Sequence, residues 1–107
     1  MTDIEKTLQA LRAKSQEIGE AYGRKETADD YLKTTYAMLY EDAPEGSVAE
    51  RDSWVKRQAE YMAAVERKRD AYSDWKVKET YIKLALAEVE VWRTKQANNR
   101  FIDSAHR

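Results

Sequence analysis

The chain contains no cysteine, so disulfides, thiolate nucleophiles and cysteine metal ligands are excluded. It has one histidine, His106, and no Glu-x-x-His pair of the kind that builds di-metal sites in helical bundles. No apolar run approaches the roughly 18 residues that would span a bilayer. The first residues, Met1-Thr2-Asp3-Ile4-Glu5, are acidic and carry no hydrophobic signal region. The expected compartment is therefore the cytoplasm, with no membrane contact. Proline occurs once and glycine three times, and none of the four lies between Ser47 and Asn99. Since these two residues are the strongest helix breakers, their absence predicts one long, unbroken helix.

What is present fits that reading. Charged residues make up 36% of the 107 positions and the mean hydropathy is -0.89, which raises disorder as a possibility to test. A net charge of only -1, with three Trp, seven Tyr and one Phe, argues for a folded helical chain instead. The charge is polarised along the chain. Residues 1–53 hold seven Lys/Arg against twelve Asp/Glu, and residues 54–107 hold twelve against eight. Two halves of opposite sign should attract when folded together.

Thr2-Asp3-Ile4-Glu5 has the form of a capping box and starts the first helix. Ile4, Leu11, Ile18, Leu32 and Leu39 fall on a strict seven-residue ladder, and Leu8, Tyr22 and Tyr36 fall on a second ladder four residues on. Lys25, Ser15 and Asp29 are polar gaps in this seam. Gly19 and Gly23 mark the weakest part of the helix, where it is expected to bend or to let another helix approach closely. Glu41-Asp42-Ala43-Pro44-Glu45-Gly46 is a loop, and Ser47-Val48-Ala49-Glu50 starts the second helix. That helix carries a stripe of Val48, Val55, Met62, Val65, Tyr72, Trp75, Ile82, Leu86 and Val89.

These patterns predict an all-α fold: a single domain over residues 1–107, built as a long antiparallel two-helix hairpin of about 3–41 and 48–99. It is coiled-coil-like and dimerises into a four-helix bundle, with residues 100–107 a frayed tail. A short loop sets Ile18 near Ala71 and Ile4 near Ala85. The second helix then outruns the first, and Val89, Val91, Trp92, Phe101 and Ile102 are left without an intrachain partner, as the expected homodimer interface.

Chemistry is sparse. Asp103-Ser104-Ala105-His106 holds triad residue types but lies at a chain end, which rarely supplies fixed geometry. Carboxylates such as Asp29 and Glu60 would act as acid and base only if buried. No phosphate-binding glycine loop is present. The expectation is a protein without catalysis, cofactor or metal. A basic-aromatic surface is the best chemical candidate. Arg67-Lys68-Arg69, Lys76, Lys78 and Lys83 alternate with Tyr72, Trp75 and Tyr81, and Arg93, Lys95 and Arg100 flank Trp92 and Phe101. Such mixtures hold single-stranded nucleic acid, and the less compensated set, Arg93, Lys95 and Arg100, is the candidate contact.

Ser47-Val48-Ala49-Glu50-Arg51 and the Arg-x-x-x-x-x-x-Arg span from Arg93 to Arg100 resemble features of small helical bacteriophage early-region proteins. The resemblance covers about residues 36–101. Asn98-Asn99 departs from the small residue often found before the final arginine. The resemblance implies a phage-encoded accessory role in recombination or replication, in the host cytoplasm, through a protein partner or single-stranded DNA.

Overall fold

The computed structural model describes residues 2–105. Among these, all regular structure is helical: α1 Asp3–Asp42, α2 Val48–Lys56 and α3 Ala59–Ala105. The chain divides into two compact units. A terminal unit comprises Met1–Ile18 and Val77–Arg107, and a loop unit comprises Gly19–Lys76.

The helix starts form as their sequences require. Thr2 Oγ1 accepts from Glu5 N at 3.2 Å while Glu5 Oε2 accepts from Thr2 N at 3.2 Å, a reciprocal capping box. Ser47 caps α2 by accepting from Glu50 N at 3.1 Å. At the other end of α1, Glu41 and Asp42 suit the helix dipole poorly. Arg51 of α2 offsets them, donating from Nη2 to the Tyr40 carbonyl at 2.7 Å with its guanidinium over the Tyr40 ring. A Cβ at Gly46 would sit 2.9 Å from Glu50 Oε2, the flexible end of that side chain.

α1 runs unbroken through Gly19 and Gly23, and neither glycine serves close helix approach: a Cβ at either would meet nothing within 4 Å. The helix does not fray there, and the close approach expected there is absent. Gly19→Ala should therefore stabilise the fold by up to about 1 kcal/mol, read as a higher urea midpoint.

The second helix is broken where no glycine or proline stands. Arg57 N donates to the Trp54 carbonyl at 3.2 Å, and Gln58 N donates to the Val55 carbonyl at 3.0 Å. The bond that Gln58 N would make in an α-helix is replaced by its own side chain, whose Nε2 donates to Trp54 O at 2.7 Å. Gln58 O then accepts from Met62 N and opens α3. Contacts to α1 hold α2 in place. Tyr36 Oη donates to Asp52 at 2.6 Å, the Tyr36 ring also meets Tyr61 of α3, and Val55 is fully buried. Propensity is a weak prior, and here tertiary packing overrides it. Helix also continues beyond the expected end at Asn99, through Ala105.

The break changes the register. In the loop unit, α1 meets α3 through Asp29–Lys68 at 2.9 Å, Arg24–Asp74 at 3.0 Å and the Tyr22–Trp75 ring pair. In the terminal unit it does so through Glu17–Lys78 at 3.3 Å, Lys14 over Tyr81, and Thr7 Oγ1 donating to Glu88 at 2.7 Å. Within each unit the pairs run in opposite chain order, so the helices are antiparallel. Each α1 residue meets a position on α3 roughly two helical turns later than a straight hairpin predicts.

The seam has small residues at its centre. The ladder Ile4, Leu11, Ile18, Lys25, Leu32 and Leu39 is buried or half-buried as expected. A companion ladder lies three residues on, at Thr7, Ala21, Ala28 and Thr35, and of the ladder expected four on, Tyr36 is half-buried. Leu8 and Tyr22 of the expected ladder are exposed. On α3, Ala64, Ala71 and Ala85 alternate with Tyr61, Lys68, Trp75, Ile82 and Val89 in the same way. Ala21, Ala28, Ala64 and Ala85 are buried, whereas Val48, Met62, Tyr72 and Leu86 of the predicted stripe are exposed. The seam thus mixes buried alanines with half-buried larger side chains such as Leu32, Trp75 and Ile82, while other large apolar side chains are exposed.

Candidate functional site

The expected interface residues separate once α3 is built. Val89 is half-buried on the face toward α1. Val91 and Trp92 line a hollow of about 520 Å³ with Ile4 and Lys6 of α1 and Glu88 and Lys95 of α3. These three therefore lie beside α1, where the simple hairpin left them unpartnered. Phe101 and Ile102 are exposed beyond it. The seam ladders change character there, continuing as Gln96, Asn99 and Asp103. Polar residues thus succeed Ala85, Val89 and Trp92 on the seam side of α3.

A second row stands out on α3 within the terminal unit. Val77, Leu84 and Val91 are seven apart and 63%, 62% and 56% exposed. Tyr81, Glu88, Lys95 and Ile102 are also seven apart and interleave with them at steps of four and three. This is a heptad pattern that flanks the seam with α1: Tyr81 and Glu88 touch α1, and Val77, Leu84 and Val91 are exposed. A further hollow of about 350 Å³ lies along it, between Tyr81 and Leu84 on one side and Lys6 and Ala10 on the other. Of the residues singled out from sequence, Val91 and Ile102 belong to this row. Val77, Tyr81 and Leu84 were not among the expected interface residues, although their spacing was readable.

The basic candidates divide too. Arg93 and Arg100 share a face because they are seven apart. Lys95 lies roughly 200° round the helix from Arg93 and borders the hollow beside Trp92. Arg93 pairs with Glu90 at 3.5 Å. The earlier basic-aromatic cluster is engaged within the fold. Arg67 stacks on Tyr31, Lys68 pairs with Asp29, Arg69 pairs with Glu66, and Lys83 pairs with Glu79.

In the loop unit a groove of about 760 Å³ has Gly23, Ala28 and Ala63 along it and Arg24, Arg67 and Asp70 at its edges. Asp29 is held below the ordinary carboxylate range by hydrogen bonds from Lys68 and then Lys33. His106 lies outside the described residues, so the Asp103–His106 pairing has no described geometry. Among the described residues there is no group of three or more His, Cys, Asp or Glu that could hold a metal ion. None of the described helices is long and apolar enough to cross a membrane.

Tyr36 is strongly perturbed. Its hydrogen bond to the Asp52 carboxylate, reinforced by desolvation, pushes its pKa up from 10.0 to about 12. Asp52 is lowered in return, first by Tyr36 and then by Lys56. A raised phenol stabilises the fold fully below pH 10 and loses that contribution as pH climbs through 12. Thermal melts should thus show a drop in midpoint between pH 10 and 12 that is smaller in Tyr36→Phe, and an equal drop in both proteins would exclude this bond as the cause.

No family model, curated protein or solved structure matches the chain.

Proposed function

We propose that the protein is a non-enzymatic, phage-encoded interaction protein that self-associates through α3, forming a homodimeric four-helix bundle able to present further surface to a protein partner. The observation that carries this reading is the inversion of side-chain size. Alanines occupy much of the buried seam, while Val77, Leu84, Leu86, Val91 and Ile102 of α3 are exposed. An isolated pair of helices gains little from such a distribution, because the large apolar side chains remain in water. Covering them with a second helical pair gives the area that a bundle core needs. The partial resemblance of residues 36–101 to phage early-region proteins supports the phage setting.

Light scattering at tens of micromolar should give the mass of a dimer. Leu84→Lys should shift the equilibrium to monomer while far-UV circular dichroism stays helical, since Leu84 is 62% exposed. Trp92→Ala should weaken assembly less. A wild-type monomer at that concentration would sink the proposal.

The alternative is accessory single-stranded nucleic-acid binding in recombination or replication through Arg93, Lys95 and Arg100, and exposed Arg93 and Arg100 on one face favour it. Phosphate contacts make affinity fall steeply with salt. A labelled oligonucleotide that fails to bind at low salt would remove this reading.

A further inference from the structure

The exposed row on α3 has a charge order that selects one arrangement of two copies. Along it run Val77, Tyr81, Leu84, Glu88, Val91, Lys95, Asn98, Ile102 and Ala105. Glu88 and Lys95 stand on either side of Val91, one heptad apart, and both are exposed. Glu88 uses one oxygen, Oε2, to accept from Thr7, which leaves Oε1 for a second donor. Lys95 rises beside the same hollow, next to Val91 and Trp92.

From this order we infer that the homodimer is isologous and antiparallel, with its two-fold axis close to Val91. The inference rests on the self-association proposed above. Two copies of α3 in parallel register would set Glu88 against the partner's Glu88 and Lys95 against the partner's Lys95, two like-charge contacts in the middle of the interface. Turning one copy end for end about Val91 brings Glu88 toward the partner's Lys95 and Lys95 toward the partner's Glu88. The two-fold axis makes both pairs at once. The same turn sets Tyr81 near the partner's Ile102, Val77 near the partner's Ala105 and Val91 near the partner's Val91, while Leu84 lies beside the partner's Asn98.

The two hollows along the row have a shape that suits this occupant. They lie between α1 and α3 in the terminal unit, share Lys6, Thr7 and Glu88, and are bounded by row residues throughout. A helix laid along them covers Leu84 and Val91 and keeps Lys6 and Lys95 at the rim.

The cysteine-free chain makes the test direct. Under mild oxidation, Val91→Cys should form a disulfide-linked dimer, because disulfide partners need Cα atoms within about 7 Å. Val77→Cys should not, because two copies of that residue lie roughly 40 Å apart when the axis is at Val91. Glu88→Lys and Lys95→Glu should each weaken dimerisation about tenfold at low salt, and the double variant should recover wild-type affinity. All four substitutions are at exposed positions, and circular dichroism checks that helicity is kept. Cross-linking of Val77→Cys as efficient as that of Val91→Cys would overturn the antiparallel arrangement while leaving self-association intact. So would dimerisation unaffected by either charge reversal. A wild-type chain that remains monomeric by light scattering removes the self-association on which the inference stands.

Discussion

Enlarging one alanine, Ala64→Leu, should destabilise the protein more than deleting most of a large apolar side chain nearby. Ala64 is 0% exposed on α3, whereas Met62, two residues before it, is 54% exposed. A leucine at position 64 adds several carbons to a seam that Ala21 and Ala28 of α1 also keep thin. The helices must then separate, or the leucine must leave its preferred rotamers. Overpacking of this kind costs about 1–3 kcal/mol, and a seam closed by alanines belongs at the upper end of that range. Met62→Ala removes a side chain already in water and should change stability by less than about 0.5 kcal/mol. Urea unfolding followed by circular dichroism, at one protein concentration because assembly shifts the midpoint, measures both. If the two substitutions cost the same, α1 and α3 are not held together by an alanine seam.

The same feature explains how far the fold could be read from sequence. The caps at Thr2 and Ser47 and the ladder from Ile4 to Leu39 depend on local chemistry and on spacing, and both are legible. The second ladder of α1 reads as Leu8, Tyr22 and Tyr36 because apolar size favours them over Thr7, Ala21 and Ala28, and only Tyr36 of the three is half-buried. Steps of three and four from the first ladder fall on adjoining parts of one helix face, so spacing alone does not choose between them. Burial distinguishes them, and at Ala21 and Ala28 it falls on the smaller residues. The break after Lys56 left no mark in composition, because it is made by a glutamine side chain replacing a backbone donor and by the anchoring of α2 to Tyr36 and Tyr40. The resulting shift in register moved Val89, Val91 and Trp92 from an expected free end to positions beside α1. The row of Val77, Leu84 and Val91 was legible as a heptad. Glu88 and Lys95 interleave with it, so it does not stand out as an apolar stripe.

Val55 should be the most sensitive single position at the corner between α2 and α3. It is fully buried, and the corner has no other large, fully buried side chain. Val55→Asp would put a carboxylate at this fully buried position. Burying an unpaired charge costs several kcal/mol, and about 4 kcal/mol is expected once local relaxation is allowed. That is a large part of the 5–15 kcal/mol that typically separates folded from unfolded chains. The matched control is Val48→Asp, one heptad earlier on the same helix. Val48 is 75% exposed, and an acidic residue in the first turn suits the helix dipole, so the change should be within about 0.5 kcal/mol. Trp54 adjoins Val55 and reports on the corner, so its fluorescence and amide exchange of residues 48–58 locate the loss. Exchange protection should fall in α2 first, because Tyr36–Asp52 and Arg51–Tyr40 hold α2 only while Val55 is seated. A Val55→Asp protein with wild-type stability and unchanged protection in α2 would mean that α2 is not docked through this side chain, and that the register of α3 on α1 has another origin.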